Sequence, residues 1–198
     1  MKKLCKPKNL MLLLLFCLLS LKGYSQFGIR AGANFASINQ DPKLDLELKS
    51  NPGYHLGILY EIDFGDNFSW RPGLQYSLKG SKIKSATSGN ENVLKTGYLE
   101  MPLDFVLKFG APETSRFGIF AGPYLGLLMS SDLDDQDVKD TYKDLDLGLN
   151  AGIQFEFLPV TLGLQYGAGL NNVANNNGTT GDITVKNQSV SAFVIFTL

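Results

Sequence analysis

The sequence is poor in the residues that build most chemical sites. Its 198 residues include two cysteines, one histidine and one tryptophan. Both cysteines lie before position 26, so a chain that begins at Gln26 has neither a thiol nor a disulfide. Such a chain is held by its fold alone. After residue 21 no stretch of 18 residues is continuously apolar, which excludes a membrane-spanning helix from the rest of the sequence.

The first 25 residues have the pattern of a cleaved signal peptide. Four lysines before position 9 precede an apolar run over 10–21, and Gly23 and Ser25 place small residues before a cleavage point. We therefore expect a signal peptide over 1–25 and a single domain over 26–198. The five lysines of the signal leave 13 basic residues against 19 acidic ones, a net charge of −6, which argues against a nucleic-acid partner.

What the rest of the sequence does contain is strict alternation. Eight segments place large apolar side chains at every second position, with glycine, polar residues and a few charges between them. No charged residue occupies the apolar positions. This period of two predicts β-strands. The segments are residues 27–36, 55–64, 68–79, 98–109, 118–127, 145–156, 162–169 and 190–198.

The connections between these segments alternate in length. Long connections at 37–54, 80–96, 130–144 and 171–188 alternate with short ones at 65–67, 110–116 and 158–159. Short turns at one end and long loops at the other are typical of outer-membrane barrels, in which the long loops face outside. The sequence therefore predicts an all-β fold, an eight-stranded antiparallel up-and-down transmembrane β-barrel in the outer membrane of a Gram-negative bacterium.

Alternation alone does not say which face lies inside, because a soluble lipocalin-like barrel turns its apolar face inward. Three features favour the membrane barrel. The polar face is rich in glycine, which suits a narrow lumen. The apolar positions lack charge, and a charge at mid-bilayer costs about 2–4 kcal/mol. Aromatic residues gather at the short-turn end and resemble a periplasmic-side girdle: Phe27, Phe64, Phe68, Trp70, Phe109, Phe117, Phe155, Phe157 and Phe196.

Charges on the polar face fall inside such a barrel. An eight-stranded barrel is just wide enough to be filled by side chains, and buried charges need partners. We expect an interior network of paired charges, with a narrow channel for ions or very small solutes as the alternative. The expected members are Arg30, Glu61, Arg71, Glu100, Asp104, Lys108 and Glu156.

Three stretches resemble the PorT-like porin family of outer-membrane β-barrels. They are GIRAGAN at 28–34, YLEMPLD at 98–104, close to a recurrent LEIPL run of that family, and GPYLG at 122–126. The resemblance covers nearly the whole of 26–198 and implies the barrel fold, but no activity. The end of the chain, 190–198, resembles the C-terminal signal read by the outer-membrane assembly machinery, although Leu198 replaces a final aromatic residue.

Nothing in the sequence indicates catalysis, a cofactor or a metal site. His55 lies near the outer rim of its segment without a nucleophile motif, and the acidic run 130–137 lacks the glycine and glutamate of a calcium loop. The expected role is structural, or one of surface interaction through four long extracellular loops. The expected partners are outer-membrane lipid, the assembly machinery and an extracellular ligand or protein, and the expected state is a monomer. Prolines 72, 102 and 123 each remove a ladder hydrogen bond and predict bulges or local irregularity on neighbouring strands.

Overall fold

The chain folds into long antiparallel strands. The computed structural model describes residues 25–41, 46–85, 91–111, 114–134, 136–174 and 184–198, so the predicted signal peptide, apart from Ser25, lies outside the described residues. No described helix is long and apolar enough to cross a membrane. The strands are β1 (Ser25–Asp41), β2 (Leu46–Asp63), β3 (Phe68–Ser85), β4 (Glu91–Ala111), β5 (Ser115–Leu133), β6 (Gln136–Asp137), β7 (Leu145–Phe157), β8 (Val160–Gly169) and β9 (Thr184–Thr197), with a short 3-10 turn at Lys139–Thr141.

Eight of these strands form a closed ring. Each barrel strand pairs with the next one along the chain, with β5 pairing with β7, and all the pairings are antiparallel. The ring closes where β1 pairs with β9, from Gly28 opposite Thr197 to Asp41 opposite Thr184. The short β6 lies off the ring and pairs with the end of β5. The predicted eight-stranded up-and-down barrel is confirmed.

The outer face of the ring is apolar on every strand. Positions of one parity point outward and remain exposed, while those of the other parity are mostly buried inside the barrel. The lipocalin-like alternative is therefore wrong for this chain, because that fold would turn the apolar side chains inward. One outward residue from each barrel strand, each 39–56% exposed, illustrates the band: Ile29, Ile58, Leu74, Leu107, Ile119, Leu149, Leu164 and Val194.

The strands are longer at one end than the sequence predicts. The connections 37–54 and 80–96 were expected to be loops, but β1 and β2 are still strand at Asp41 and Leu46, and β3 and β4 continue to Ser85 and Glu91. The opposite side of the barrel is lower, because the pairing of β7 with β8 stops at Gly148 and Gly169. The wall at this end is therefore uneven in height.

The prolines produce local irregularity in the ladders but no bulges. The register is continuous across Pro72, Pro102 and Pro123, although the ladder lacks pairings at each of the three prolines. The register shifts lie elsewhere, between Asn51 and His55 in β2 and between Gly97 and Tyr98 in β4. A proline can stay in register when its neighbours bond past it, so the missing donor interrupts the ladder without bending it.

Candidate functional site in the barrel lumen

The lumen nearest the short turns holds three cations and three carboxylates, which we call the lower ion-pair layer. Lys108 Nζ lies 3.0 Å from Asp63 Oδ1 and 3.7 Å from Glu156 Oε2, and it also pairs with Glu61. Lys108 is almost completely buried. One ammonium group therefore serves three carboxylates that come from β2 and β7. The members of the layer are Glu61, Asp63, Arg71, Lys108, Arg116 and Glu156.

Two arginines complete the lower ion-pair layer. Arg71 Nη2 lies 2.5 Å from Glu61 Oε2, and Arg71 Nη1 donates to Gln154 Oε1 across the barrel at 2.8 Å. Arg116 pairs with Glu156 through two nitrogens. Charges of opposite sign are equal in number here, so the layer is neutral as a whole. This balance offsets the desolvation of each buried ion.

An apolar layer follows the lower ion-pair layer along the strands. Phe120 and Phe193 meet edge to face with ring centroids 5.8 Å apart. Gly163 makes room for this contact, since a Cβ at that position would lie 2.3 Å from the Phe193 ring. We define the apolar layer as the buried cluster of Leu59, Val106, Phe120, Phe193 and Ile195.

Arg30 lies above the apolar layer. Its guanidinium carbon lies 4.0 Å from the centroid of the Phe193 ring, a cation–π distance. Arg30 Nη1 lies 3.7 Å from Asp104 Oδ2, and Arg30 Nη2 donates to Gln165 Oε1 at 2.7 Å. Side chains of β1, β4, β8 and β9 are thereby joined across the barrel.

A third charged group, the upper cluster, lies towards the end with the taller wall. Lys79 Nζ lies 2.6 Å from Glu100 Oε1 and 3.4 Å from Asp146 Oδ2. Asp146 Oδ2 also accepts hydrogen bonds from Asn187 Nδ2 at 2.9 Å and from the Tyr124 hydroxyl at 3.2 Å. The upper cluster contains one cation and two carboxylates, so it carries one excess negative charge.

A small polar cavity lies in the lumen beside Lys79 and Glu100. The volume open to the centre of a water-sized sphere is about 10 Å³, so the cavity has room for about one water molecule or small ion. Its lining is polar and comes from all eight barrel strands. The lining residues used below are Asn34, His55, Gln75, Lys79 and Glu100.

His55 lies in this cavity wall with a defined tautomer. Asn34 Nδ2 donates to the backbone carbonyls of Tyr54 and Leu78, both at 3.3 Å, which fixes the orientation of the amide and leaves Asn34 Oδ1 as the acceptor. His55 Nδ1, 2.7 Å from Asn34 Oδ1, must then donate its proton. His55 Nε2 is left as an acceptor, it is buried, and it has no hydrogen-bond partner among the described residues. The sequence places this histidine near a rim, whereas the structure places it inside the lumen.

The seven charged residues expected in one interior network occupy three separate groups. Glu61, Arg71, Lys108 and Glu156 belong to the lower ion-pair layer, Arg30 pairs with Asp104, and Glu100 pairs with Lys79. No salt bridge among the described residues joins one group to the next. The three groups are separated along the lumen by the apolar layer and by polar side chains.

Several functional residues were missed at the sequence level. Asp63, Lys79 and Asp146 occupy inward positions of predicted strands, so their parity alone could have identified them. Arg116 was assigned to a turn, but β5 already begins at Ser115 and turns it inward. The apolar layer was also missed. Its signal is runs of apolar residues without alternation, at 58–60, 105–107, 119–121 and 192–196.

The nine aromatic residues of the expected girdle lie on the outer face near the short turns. Most are exposed, and Phe68 and Trp70 are half-buried. Neighbours among them contact one another, with ring centroids 5.9 Å apart for Phe64 and Phe68 and 5.8 Å apart for Phe155 and Phe157. Their contact with a membrane boundary stays a prediction. Among the described residues, no group of three or more His, Cys, Asp or Glu side chains is placed to hold a metal ion.

A closed eight-stranded ring with an apolar exterior on every strand and ion pairs inside defines the class of small outer-membrane β-barrels. The chain belongs to the outer membrane protein beta-barrel domain family, whose model matches residues 17–175. Its location is therefore the outer membrane of a Gram-negative bacterium. None of the curated proteins matches the chain.

Solved structures of small outer-membrane proteins share the fold. OprG from Pseudomonas aeruginosa is 13% identical, with a TM-score of 0.54, and the match covers 88% of this chain and 96% of OprG. Neisserial surface protein A is 17% identical, with a TM-score of 0.49 over 86% of this chain and 96% of that protein. At such identities the similarity to OprG supports the fold and nothing about activity.

Proposed function

We propose that this protein is a non-conducting anchor in the outer membrane that presents ordered β-structure to partners at the cell surface. The observation that carries the proposal is the collar, the part of six strands that continues beyond the outward apolar band. These strand ends remain paired in two ladders, β1 with β9 and β2 through β5, so the collar extends the barrel wall as β-structure rather than as separate loops. The collar comprises residues 36–41, 46–53, 79–85, 91–97, 130–133 and 184–189.

A rigid collar favours recognition of a partner because less conformational entropy is lost when it binds. Its strands connect directly to the membrane-embedded wall, so its position relative to the bilayer is fixed. The filled lumen beneath it supports an anchoring role rather than transport. The apolar layer and the lower ion-pair layer both lie across any path for water. Neither catalysis nor a cofactor enters this proposal.

The closed lumen predicts an electrically silent barrel. In planar bilayers, the wild-type protein shows no single-channel steps, because the Phe120–Phe193 contact and the ion pairs below it leave no continuous water path. The double variant Phe120→Ala, Phe193→Ala raises the conductance, since it removes both rings from the apolar layer. The matched control, Phe105→Ala with Phe155→Ala, removes two rings from the outer face and stays silent. Reproducible steps from the wild type would support the narrow-channel alternative instead.

The collar itself is tested by shortening one hairpin. Ser81 pairs with Leu94 across β3 and β4, so residues 82–93 can be replaced by an Asn-Gly turn that joins these two positions. We expect the shortened protein to insert normally. In a strain that lacks the gene, it should fail to reverse the change that the deletion causes at the cell surface. The silent ring variant Phe105→Ala, Phe155→Ala should restore it. Full complementation by the shortened hairpin would refute a role for this part of the collar.

Within the family, we infer that the chain is one of the PorT-like porins. The inference rests on the three stretches at 28–34, 98–104 and 122–126. All three supply residues to the lumen: Arg30 and Asp104 pair with each other, and Tyr124 donates to Asp146. We also propose that the aromatic girdle contacts the periplasmic lipid boundary and that the barrel is a monomer. Its insertion by the outer-membrane assembly machinery completes this proposal.

A further inference from the structure

We propose that the polar cavity in the lumen binds one small monovalent cation. The first observation is the excess charge of the upper cluster. Lys79 is shared by Glu100 and Asp146, and all three side chains are at least nine-tenths buried. A buried charge without compensation is strongly disfavoured. Arg30 already pairs with Asp104, and among the described residues it makes no salt bridge with the upper cluster.

The second observation is independent of the acidic residues. Two buried side chains that line the cavity have acceptor atoms without any partner among the described residues, namely His55 Nε2 and Gln75 Oε1. His55 is 2% exposed and Gln75 is 5% exposed. In this tautomer His55 Nε2 carries a lone pair and can only accept. Gln75 Nε2 donates to Glu100 Oε2 at 3.0 Å, which leaves Gln75 Oε1 as an acceptor without a partner among the described residues. Both groups therefore call for a ligand that offers positive charge or donor hydrogens.

Size and ligand number define the class of cation. The cavity has room for about one water-sized particle, which suits sodium, potassium or ammonium and excludes organic cations. The described residues offer no cluster of His, Cys, Asp or Glu for a divalent ion. One positive charge also balances the upper cluster, whereas two would reverse its sign. The cavity thus matches a single monovalent cation in volume, donor set and charge.

The test compares thermal unfolding in four chloride salts at equal ionic strength: sodium, potassium, ammonium and N-methyl-D-glucamine. The folded and heat-unfolded forms are separated by gel mobility after the protein is refolded in each salt. At ten times its Kd, a binding cation raises the unfolding midpoint by about 3–6 °C above the value in N-methyl-D-glucamine. Equal midpoints in all four salts would mean that the cavity holds water alone, and would overturn the proposal.

Two variants locate the effect. Asp146→Asn removes the excess charge while keeping the shape of the side chain, and it should abolish the response to the small cations. Asp144→Asn is the matched control, because Asp144 is exposed two residues away, and it should keep the full response. A response that persists in Asp146→Asn contradicts the site. A wild-type midpoint that follows pH but not the cation would show a proton in its place, which also contradicts the proposal.

A measurement on the unaltered protein remains decisive if Asp146→Asn fails to fold. Crystals grown in rubidium chloride should show an anomalous difference peak in the cavity, within coordination distance of Gln75 Oε1. Rubidium stands in for potassium in this experiment. A map without a peak in the lumen overturns the proposal when the wild-type midpoint is also no higher in sodium or ammonium chloride than in N-methyl-D-glucamine chloride.

Discussion

Lys108→Met lowers the free energy of unfolding by about 3–5 kcal/mol, which is the cost of breaking a buried ion pair by removing one partner. The methionine side chain has a similar length, so packing is largely kept and the loss is electrostatic. Glu61, Asp63 and Glu156 would then share two arginines instead of three cations. The measurement is urea-induced unfolding in lipid vesicles, followed by the fluorescence of Trp70.

Two comparisons separate this electrostatic effect from general damage. Lys143→Met makes the same substitution at an exposed lysine, and its stability should stay within about 0.5 kcal/mol of the wild type. Adding Glu61→Gln to Lys108→Met restores equal numbers of cations and carboxylates, so part of the lost stability should return. If the double variant is less stable than Lys108→Met alone, charge balance does not govern the lower ion-pair layer.

Leu164→Arg destabilises the inserted barrel by about 2–4 kcal/mol, because it places a charge on the lipid face at mid-membrane depth. Leu164 lies near the centre of β8, points outward and is 53% exposed. An arginine at this position meets no polar group in the bilayer core. The free energy of unfolding in vesicles measures the cost directly.

The control for Leu164→Arg is the same substitution in the short turn between β7 and β8. Leu158 is 48% exposed, and it lies at the end of the barrel, where the cost of a charge falls to about 0–1 kcal/mol. A clear difference between the two variants reports membrane depth rather than tolerance of arginine. Equal costs would contradict the placement of the apolar band across the bilayer.

The sequence was sufficient for the fold because lipid constrains one face of every strand. Ile58 and Leu164 could be assigned outward from alternation together with the glycine-rich opposite face and the absence of charge at the apolar positions, and the structure agrees. The prediction failed where that constraint ends. In the collar both faces of the strands are outside the lipid, so the alternation weakens. The sequence predicts that β1 ends near residue 36 and that β2 begins near residue 55, whereas β1 continues to Asp41 and β2 already begins at Leu46.

The candidate site was predicted in part. Parity identifies that Arg30 and Lys108 point inward, but their partners depend on how the ring closes and on the tilt of its strands. Arg30 reaches Gln165, which is 135 residues away in sequence, and Arg71 reaches Gln154, which is 83 residues away. A local sequence pattern cannot predict contacts between residues so far apart in the chain. The apolar layer was missed for a related reason. Phe120 and Phe193 are apolar side chains at inward positions, and the contact between them depends on how the ring closes.

These cross-lumen contacts have a consequence for the order of events during assembly. No single hairpin contains both Arg30 and Asp104, or both Lys108 and Glu156. A hairpin that entered the bilayer alone would carry unpaired charges into the hydrocarbon, and each such charge has an unfavourable free energy there. Some pairs form within one hairpin, such as Arg71 with Glu61, but Arg30 and Asp104 are neutralised only when β1 and β4 come together. Curling of the sheet must therefore accompany the insertion of these two strands, and the contacts across the lumen add their stability only as the ring closes.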